Sequence, residues 1–600
     1  MELTLTHKDI LQALRTKMQL AGIDVYVIPS GDFHGSEYLS DHFRCMRFVS
    51  GFTGSAGTLV ITPEEAWLWT DGRYFIQAER QIAGSGFGLM RMAQAGVPTV
   101  EEYLKDTVKD GQTLGFDGRV VTARLVEAWE KALEGKNAKL AAGRDLVGEI
   151  WADREPQDFH DAFILEEKYT GESAADKIAR VRAEMEKAGA DLYFLTSLDD
   201  IAWLLNIRGA DLPHTPVVFG FLEITAEKCI FYCRPDVLNG EVKLYLQAQG
   251  VTLAAYDLFW SAVPAKSRGK HVLYDPAKTA YRVKADLAPD AAKIEAVNPT
   301  TLMKCVKNKT EQESMREAHR KDGIAMVKWL YWLYNQADLE SLSEIDVSDY
   351  LEQCRRDAGA FDLSFDTIAA MGPNAAMMHY KATPESHAML KREGFLLVDS
   401  GGQYKDGSTD ITRTMALGPV TEEQKRHYTA VLKSMLRLGA AKFLKGCTCY
   451  FLDILARGPV WDLGIDYRCG TGHGIGFVLN VHEGPNGFRW SKPATMDGLV
   501  TLEAGMVTTD EPGVYIEGSH GIRIENELLC VEDEENEYGR FMRFEHLTLC
   551  PIDLAALIPE ELSPEERRAL NAYHAMVYER LHDGLTADEA AWLRKVTQPV

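Results

Sequence analysis

The sequence predicts an α/β protein with four parts in order: two related α/β domains, an α+β domain and a helical tail. Three observations lead to this prediction. A ten-residue segment occurs twice in the first half of the chain, each time after an amphipathic helical pattern. From about residue 307 a long helical pattern gives way to strands, and beyond residue 551 helical patterns return. We place the domains at 1–160, 161–305, 306–550 and 551–600.

The repeated segment reads Ala-Gly-Ile-Asp-Val-Tyr-Val-Ile-Pro-Ser at 21–30 and Ala-Gly-Ala-Asp-Leu-Tyr-Phe-Leu-Thr-Ser at 188–197. The helical patterns before it cover 10–20 and 175–187. A helix that leads into a buried apolar strand is the usual opening of an α/β unit. Because helix and strand follow in the same order in both copies, duplication explains them better than chance does.

The third domain opens with a long helix. Its start is predicted at Thr310, where Thr-Glu-Gln-Glu has the form of a capping box. The pattern turns to strands after Thr367, and further helices are predicted at 421–445 and 448–457.

The tail has two helical segments with capping residues, at Ser563 and Thr586. We interpret it as a separate, helical appendage. Its first helix carries an apolar stripe that would serve either a homodimer or packing on its own chain: Leu570, Tyr573, Met576, Val577 and Leu581.

Composition limits the functions open to this chain. The 600 residues are 46% hydrophobic and 26% charged, which is ordinary for a globular protein of several domains. Acidic residues outnumber basic ones by 89 to 65, and the net charge of −24 argues against nucleic acid as a partner. Ten scattered cysteines, a charged N-terminus without a signal-peptide pattern and the lack of a long apolar segment predict a cytoplasmic location with no membrane partner.

Four carboxylates and one imidazole follow one another through the last third of the chain, each at a predicted strand or strand end: Asp399, Asp410, His473, Glu511 and Glu525. This set is too large for one tetrahedral zinc site. It suits two hard divalent ions, with Mn²⁺ favoured by the oxygen-rich ligands. Two ions about 3.5 to 4 Å apart can share a water and lower its pKa toward about 7, which provides hydroxide at neutral pH. The chain is therefore predicted to be a two-metal hydrolase.

The spacing of Asp399 and Asp410 predicts how their strands are connected. A two-residue turn at Asp406-Gly would place Asp410 opposite Gln403, too far from Asp399 for a shared ion. A longer loop starting at Gly401 would place the two aspartates opposite each other, with Cβ atoms about 5 Å apart. We predict the longer loop.

Two residues next to predicted ligand segments have either a structural or a functional role. His482, in Val-His-Glu-Gly-Pro, is as often structural as functional. Alternation over 521–528 puts Arg523 beside Glu525, either in a surface ion pair or as an arginine that orients a ligand carboxylate.

Five ordered motifs resemble those of the aminopeptidase P (Xaa-Pro aminopeptidase) family: Asp399-Ser-Gly-Gly-Gln-Tyr-Lys-Asp-Gly-Ser-Thr-Asp410-Ile-Thr-Arg-Thr, Gly470-Thr-Gly-His473-Gly-Ile-Gly, Val481-His482-Glu-Gly-Pro, Asp510-Glu511-Pro-Gly and Gly521-Ile-Arg-Ile-Glu525-Asn-Glu. The resemblance covers nearly the whole chain and is to the long, three-domain cytosolic branch. It implies creatinase-like N-terminal domains, a pita-bread catalytic domain of peptidase family M24, two manganese ions and hydrolysis of the bond between an N-terminal residue and a following proline.

The same resemblance implies the ligand set of each ion. One ion would be held by Asp410, His473, Glu511 and Glu525, and the other by Asp399, Asp410 and Glu525. Asp410 and Glu525 would bridge the two ions.

The resemblance also implies substrate contacts, from His379 in Gly372-Pro-Asn-Ala-Ala-Met-Met-His, from His482, and from Arg73 in Thr-Asp-Gly-Arg-Tyr, which would reach across a homodimer. Arg523 is grouped with these substrate-binding residues. We interpret Glu511 as the proton relay to the leaving nitrogen, and the two histidines as catalytic hydrogen-bonding groups. Cys469 stands where the commonest form of the motif has histidine, so peptide preference is expected to differ.

Three alternatives stay open at this point. A prolidase (Xaa-Pro dipeptidase) would use the same metal set, but the long N-terminal half argues against it. A methionine aminopeptidase lacks the two preceding domains. A non-catalytic binding protein would reuse the fold, and the five intact ligands argue against that.

Overall fold

A computed structural model describes residues 5–490 and 500–600. The chain divides into two compact units, one formed by Met1–Leu165 and Glu172–Thr300 and the other by Glu166–Gly171 and Thr301–Val600. The predicted domains also include residues 1–4 and 491–499, which lie outside the described part. In that described part, no helix combines the length and the apolar character that a membrane span requires.

The described strands of the first unit form two six-stranded sheets with one topology and one two-stranded sheet. They are β1 (Val25–Pro29), β2 (Thr58–Ile61), β3 (Ala66–Thr70), β4 (Gly88–Arg91), β5 (Thr113–Gly115), β6 (Lys139–Ala141), β7 (Phe163–Ile164), β8 (Leu192–Leu195), β9 (Ile207–Arg208), β10 (Gly220–Ile224), β11 (Cys229–Cys233), β12 (Val251–Ala255), β13 (His271–Tyr274) and β14 (Ala292–Glu295). The two six-stranded sheets have the orders β4-β3-β2-β1-β5-β6 and β12-β11-β10-β8-β13-β14, and β7 pairs with β9. Corresponding neighbours pair in the same direction throughout, antiparallel around β2 and β10 and parallel elsewhere.

The helices between residues 5 and 300 are α1 (His7–Ala21), α2 (Cys45–Ser50), α3 (Phe75–Gln81), α4 (Val100–Thr107), α5 (Ala123–Ala132), α6 (Glu167–Thr170), α7 (Ala174–Ala188), α8 (Leu198–Leu205), α9 (Gly240–Ala248), α10 (Leu258–Lys266) and α11 (Tyr281–Asp286). Helices α1 and α7 begin at side-chain N-caps, Thr6 and Ser173, and end at left-handed glycines, Gly22 and Gly189. Each leads into the strand that lies within the repeated segment, β1 or β8. The predicted duplication is therefore confirmed, and the boundary between residues 160 and 161 stays a prediction.

The second unit contains β15 (Asp362–Leu363), β16 (Ile368–Met371), β17 (Phe395–Ser400), β18 (Gly402–Tyr404), β19 (Gly407–Ser408), β20 (Ile411–Ala416), β21 (Lys442–Leu444), β22 (Val507–Asp510), β23 (Gly513–Ile516), β24 (His520–Arg523), β25 (Asn526–Asn536) and β26 (Gly539–His546). Its helices are α12 (Pro299–Cys305), which begins just before the unit, α13 (Lys309–Tyr334), α14 (Glu344–Asp357), α15 (Glu422–Gly439), α16 (Cys449–Trp461), α17 (Pro564–Leu581) and α18 (Ala587–Val596). The sheets have the orders β15-β18-β19, β16-β17-β20, β21-β26-β25-β22 and β23-β24.

The long helix α13 starts earlier than predicted. Its N-cap is Asn308, whose side chain accepts from the backbone N–H of Glu311 in a complete capping box. Thr310 is thus already inside the helix. The N-caps predicted at Ser563 and Thr586 are confirmed, each with its capping box.

The tail is helical, as predicted, but it is not a separate appendage. On α17, Leu570 and Val577 are fully buried in the core that also contains Val431 of α15 and Ile522 of β24. Complete burial of such a side chain contributes about 1.5 to 3 kcal/mol. The apolar stripe therefore packs on its own chain, so it is no longer an argument for a dimer.

Candidate metal centre

Three predicted ligands from distant parts of the chain meet in the second unit. Asp410, His473 and Glu525 each offer one ligand atom, and these atoms lie within 4.8 Å of one another. Nε2 of His473 is 3.5 Å from Oδ2 of Asp410 and 3.5 Å from Oε1 of Glu511. Ligand atoms bound to one ion at about 2.1 Å lie roughly 3 to 4 Å apart. The spacing of these four side chains is thus suitable for a divalent cation.

The orientation of His473 also suits a metal. Its Nδ1 lies 3.1 Å from the carbonyl oxygen of Gly474, a good acceptor for the proton of that nitrogen. With the proton on Nδ1, Nε2 keeps its lone pair and faces the carboxylates.

The connection between Asp399 and Asp410 is a tight hairpin, so the predicted longer loop is wrong. Tyr404 pairs with Gly407 across a two-residue turn, and Asp399 pairs with Thr412 in the same register. Asp410 precedes Thr412 by two residues, so it lies on the same face and is a diagonal neighbour of Asp399. A turn one residue earlier than the one considered from the sequence produces this arrangement.

Glycines let the loop of His473 approach strand β22 closely. A Cβ atom added at Gly472 would lie 1.8 Å from the carbonyl oxygen of Thr509. The N–H of Thr509 in turn donates to the carbonyl of His473 at 2.8 Å, and the side-chain Oγ1 of Thr509 accepts from the N–H of His473 at 3.0 Å. The close approach is therefore between two stretches of backbone, and it is possible because Gly472 has no side chain.

His482 joins the cluster through the same loop. Its ring is half-buried and lies 4.3 Å from the ring of His473, edge to face. The next residue, Glu483, donates its N–H to the carbonyl of Gly474 at 2.7 Å. The two histidine segments are thus held side by side.

A buried ion cluster that the sequence did not reveal supports these segments. The carboxylate of Glu483 accepts from Nζ of Lys304 at 3.0 Å and from Nζ of Lys307 at 2.5 Å. Lys307 also donates to the carbonyl of Ile475 at 2.5 Å. The three charged residues are 2 to 7% exposed. In the sequence, the only signal was the position of Glu483 beside His482.

The negative charges of this carboxylate cluster favour a bound cation. Burial, and then the nearby charges of Asp399 and Glu511, raise the pKa of Asp410 well above its usual range. Burial, and then the charges of Asp410 and Glu511, likewise raise the pKa of Glu525 well above its usual range. Oδ1 of Asp399 is buried and has no hydrogen-bond partner among the described residues. A bound cation would relieve this repulsion and occupy the free oxygen, so these residues fit a divalent metal.

Arg523 contacts a different carboxylate from the one expected. Its Nη2 donates to Oδ2 of Asp399 at 2.5 Å, and its Nη1 donates to the hydroxyl of Tyr515 at 2.7 Å. Its Nε donates to Oγ1 of Thr412 at 3.0 Å, and that hydroxyl donates to Oε2 of Glu525 at 2.7 Å. The side chain is 3% exposed, so a surface ion pair is excluded. Arg523 thus orients Asp399 directly and Glu525 through Thr412.

A second supporting chain was missed in the sequence. Oε1 of Glu527 accepts from the backbone N–H of Asp410 at 2.7 Å and lies 3.2 Å from Nε2 of His319 on α13. Burial disfavours the charged imidazole, but the charge of Glu527 and the hydrogen bonds to Glu527 and to the carbonyl of Met315 together outweigh burial and raise the pKa of His319. His319 has only helical periodicity as a sequence signal, which is why its role was not foreseen.

The remaining predicted residues lie as follows. His379 is half-buried and follows the 3₁₀ helix Gly372–Ala376 in the second unit. Cys469 is also half-buried, and its carbonyl accepts from Arg457. Arg73 belongs to the first unit, where its Nε and Nη2 donate to both carboxylate oxygens of Asp71. The roles of these residues stay predictions.

Models of known protein families match successive parts of the chain. The creatinase/prolidase N-terminal domain matches at residues 10–150 and again at 153–311. Metallopeptidase family M24 matches at 313–532, and the C-terminal region of peptidase M24 at 540–600. The chain therefore belongs to metallopeptidase family M24.

Individual relatives show which members of this family the chain resembles over its full length. Aminopeptidase P1 of Arabidopsis thaliana is 36% identical, over 99% of this chain and 99% of its own length. The crystal structure of an X-prolyl aminopeptidase from Caenorhabditis elegans, described as a cytosolic enzyme with a dinuclear active site, superimposes with a TM-score of 0.93 at 32% identity over 99% of this chain and 100% of its own. An Xaa-Pro dipeptidase from Bacillus anthracis matches with a TM-score of 0.50 at 27% identity, over 64% of this chain and 99% of its own.

These matches confirm the predicted fold class. The chain has creatinase-like α/β domains, a pita-bread domain of the M24 type and a helical C-terminal segment. The boundaries that we assigned to its domains stay predictions.

Proposed function

We propose that this protein is a metalloaminopeptidase that removes the N-terminal residue from peptides with proline at position two. The observation that carries the proposal is the convergence of Asp410, His473, Glu511 and Glu525, with the diagonal neighbour Asp399, in one cluster whose members are buried or half-buried. Full-length similarity to proteins named aminopeptidase P1 and X-prolyl aminopeptidase supports the substrate class.

We further propose two divalent ions, most simply Mn²⁺. The dinuclear active site of the Caenorhabditis elegans enzyme supports the number, and the oxygen-rich ligands support the metal. Asp410, His473, Glu511 and Glu525 would hold one ion, and Asp399, Asp410 and Glu525 the other. When bound, the two ions supply a water with a lowered pKa next to the peptide carbonyl.

The protein's own groups would carry the remaining steps. Glu511 is half-buried at the end of β22, and its Oε1 accepts from Oγ1 of Thr509 at 3.3 Å. From there it would take a proton from the attacking water and pass it to the nitrogen of the departing proline. His482, beside His473, and His379 would hydrogen-bond the carbonyl oxygen as its negative charge develops. Arg523 would act on Asp399, since its three nitrogens already have partners within the protein.

Proline specificity needs recognition by shape. The bond before proline is a tertiary amide without an N–H, so the site has no donor to recognise there. Arg73 is a proposed substrate contact from the first unit, and Cys469 a proposed determinant of peptide preference. A dipeptidase is the weaker candidate, because the dipeptidase structure matches only part of this chain whereas the aminopeptidases match throughout.

Replacing Glu511 by glutamine tests the assignment. We expect turnover of an Arg-Pro-Pro peptide to fall by about 100-fold or more, because glutamine cannot take the proton. Metal content, measured by elemental analysis, identifies variants that have merely lost an ion. Unchanged turnover with metal still bound would contradict the role of Glu511.

Two further measurements separate the alternatives. Metal-stripped protein given back Mn²⁺, Zn²⁺, Co²⁺ or Mg²⁺ would identify the preferred ion. Comparison of Arg-Pro with Arg-Pro-Pro distinguishes an aminopeptidase from a dipeptidase, which would accept only the former. A protein that binds no metal and hydrolyses neither peptide would instead be a binding protein on this fold.

We also propose a cytoplasmic homodimer. The description of the Caenorhabditis elegans enzyme as cytosolic supports the location. Support for the dimer comes from helix α16, where Phe451, Ile454 and Trp461 share one face and are 63%, 51% and 41% exposed. Large exposed apolar patches often mark protein interfaces.

Sedimentation measures the oligomeric state directly. We expect a Phe451→Ser and Trp461→Ser double variant to be monomeric. Leu444→Ser, which removes a similarly exposed leucine from β21, is the control that should remain dimeric. A monomeric unmodified protein would contradict the dimer.

A further inference from the structure

Arg413 occupies a central position behind the metal centre. It follows Thr412 on β20 and is 2% exposed. Its five N–H groups face six acceptors, which are the carbonyls of Thr412, Glu525, Cys550 and Pro551, Oδ1 of Asn526 and the hydroxyl of Tyr573.

One nitrogen of this guanidinium fixes the backbone of a metal ligand. Nη1 donates to the carbonyl of Thr412 at 2.9 Å and to the carbonyl of Glu525 at 2.6 Å. The N–H of Glu525 donates to the same carbonyl of Thr412 at 3.1 Å. Oγ1 of Thr412 also donates to the Glu525 carboxylate. Residues of β20 therefore hold both the backbone and the carboxylate of this ligand.

The other terminal nitrogen is oriented by the helical tail. Nη2 of Arg413 donates to the hydroxyl of Tyr573 on α17 at 2.8 Å. That hydroxyl has carbonyl acceptors at 3.0 Å in Thr548 and Cys550, so it can donate its own hydrogen while accepting from the arginine. Tyr573 is 4% exposed, so water does not compete for these bonds.

We propose that Tyr573 is a positioning residue of the metal centre, which acts through Arg413 on Glu525. The helical tail then completes the support of the bridging carboxylate, in addition to filling the apolar core. The inference rests on the proposed function in one respect, that Glu525 is a metal ligand. A purely structural Tyr573 would stabilise the fold without affecting metal affinity.

The test uses two full-length variants that each lose one buried hydroxyl from the same core. Tyr573→Phe removes one of the three acceptors of Nη2 of Arg413 and leaves Oδ1 of Asn526 and the carbonyl of Cys550 in place. Tyr428→Phe is the matched control, because Tyr428 is fully buried in that core and its hydroxyl donates to the carbonyl of Asp553 at 2.5 Å. Both variants retain the aromatic ring, so packing is preserved and thermal unfolding should shift similarly.

Calorimetric titration of metal-stripped protein with Mn²⁺ is the primary readout. We expect Tyr573→Phe to bind the metal about tenfold more weakly and Tyr428→Phe to remain within about twofold of the unmodified protein. The kcat for an Xaa-Pro peptide should fall in Tyr573→Phe with little change in KM, because Tyr573 is buried in the core and exposes too little surface for a substrate to contact. Arg413→Lys keeps the charge but loses the fork of donors, and should weaken binding by about 100-fold.

Two results would overturn the proposal. One is unchanged metal affinity in Tyr573→Phe, and the other is an equal loss in Tyr428→Phe, which would indicate general loosening of the core. The proposed function fails separately, if the unmodified protein binds Mn²⁺ but hydrolyses no Xaa-Pro peptide. In that case a selective loss of affinity in Tyr573→Phe would still support the positioning role.

Discussion

Replacement of Thr412 by valine measures how strongly the Glu525 carboxylate depends on one neighbour. The Thr412 hydroxyl donates to Oε2 of Glu525 at 2.7 Å and accepts from Nε of Arg523 at 3.0 Å. Valine has nearly the same shape, so the change removes both bonds without opening a cavity. Each hydrogen bond to a charged group contributes about 1.5 to 3 kcal/mol.

Part of the free energy of these two hydrogen bonds should be lost from metal binding when the hydroxyl is removed. Loss of one supporting contact to a ligand weakens metal binding by about 10- to 100-fold, equivalent to roughly 1.4 to 2.7 kcal/mol. We expect a loss in this range when metal-stripped Thr412→Val is titrated calorimetrically with Mn²⁺. Turnover of an Xaa-Pro peptide at saturating metal should fall as well, because Glu525 is no longer fixed.

Thr414→Val is the matched control. Thr414 lies on the same face of β20 and is equally buried, but among the described residues its hydroxyl bonds only the backbone of Arg523, donating to the carbonyl at 2.8 Å and accepting from the N–H at 3.1 Å. These are neutral bonds that do not reach a ligand carboxylate, so little of their energy should appear in metal binding, and we expect affinity to change by about threefold at most. Equal affinities for the two variants would refute the idea that the Thr412 hydroxyl orients Glu525.

Two other predictions concern stability and the histidine loops. Burial, and then the charge of Arg413, lower the pKa of His574 to about 4, and its Nε2 accepts from the N–H of Ile552 at 3.1 Å. The contribution of neutral His574 to the free energy of unfolding is therefore complete above about pH 6.5 and is lost as the pH falls toward 4, by about 2 kcal/mol at pH 5. Thermal unfolding of His574→Gln should be less sensitive to acid than that of the unmodified protein. Equal sensitivity of the two proteins would contradict this prediction. Glu483→Gln leaves Lys304 and Lys307 buried without a counter-charge, at a cost of about 3 to 5 kcal/mol. Its unfolding temperature should fall and its KM for peptide rise, whereas an unchanged unfolding temperature would show that the ion cluster contributes little.

Features of the fold that depend on short stretches of chain could be predicted from the sequence. The N-caps at Ser563 and Thr586 and the duplicated helix and strand are patterns of residues a few positions apart. The start of α13 shows the limit of this approach, because Asn308 and Thr310 both resemble caps and only hydrogen bonding distinguishes them. The position of the hairpin turn shows the same limit, because adjacent turn positions are similar in sequence, yet a shift of one residue changes every cross-strand pair.

By itself, the sequence determined the order of Asp399, Asp410, His473, Glu511 and Glu525, and hence the expectation of a hard two-metal site. Their residue types and strand patterns are local properties. The tertiary structure decided which groups support them. Arg523 bonds Asp399 from 124 positions away, and Tyr573 reaches Arg413 from 160 positions away. Contacts over such separations depend on how strands and helices pack, so periodicity along one segment does not reveal them.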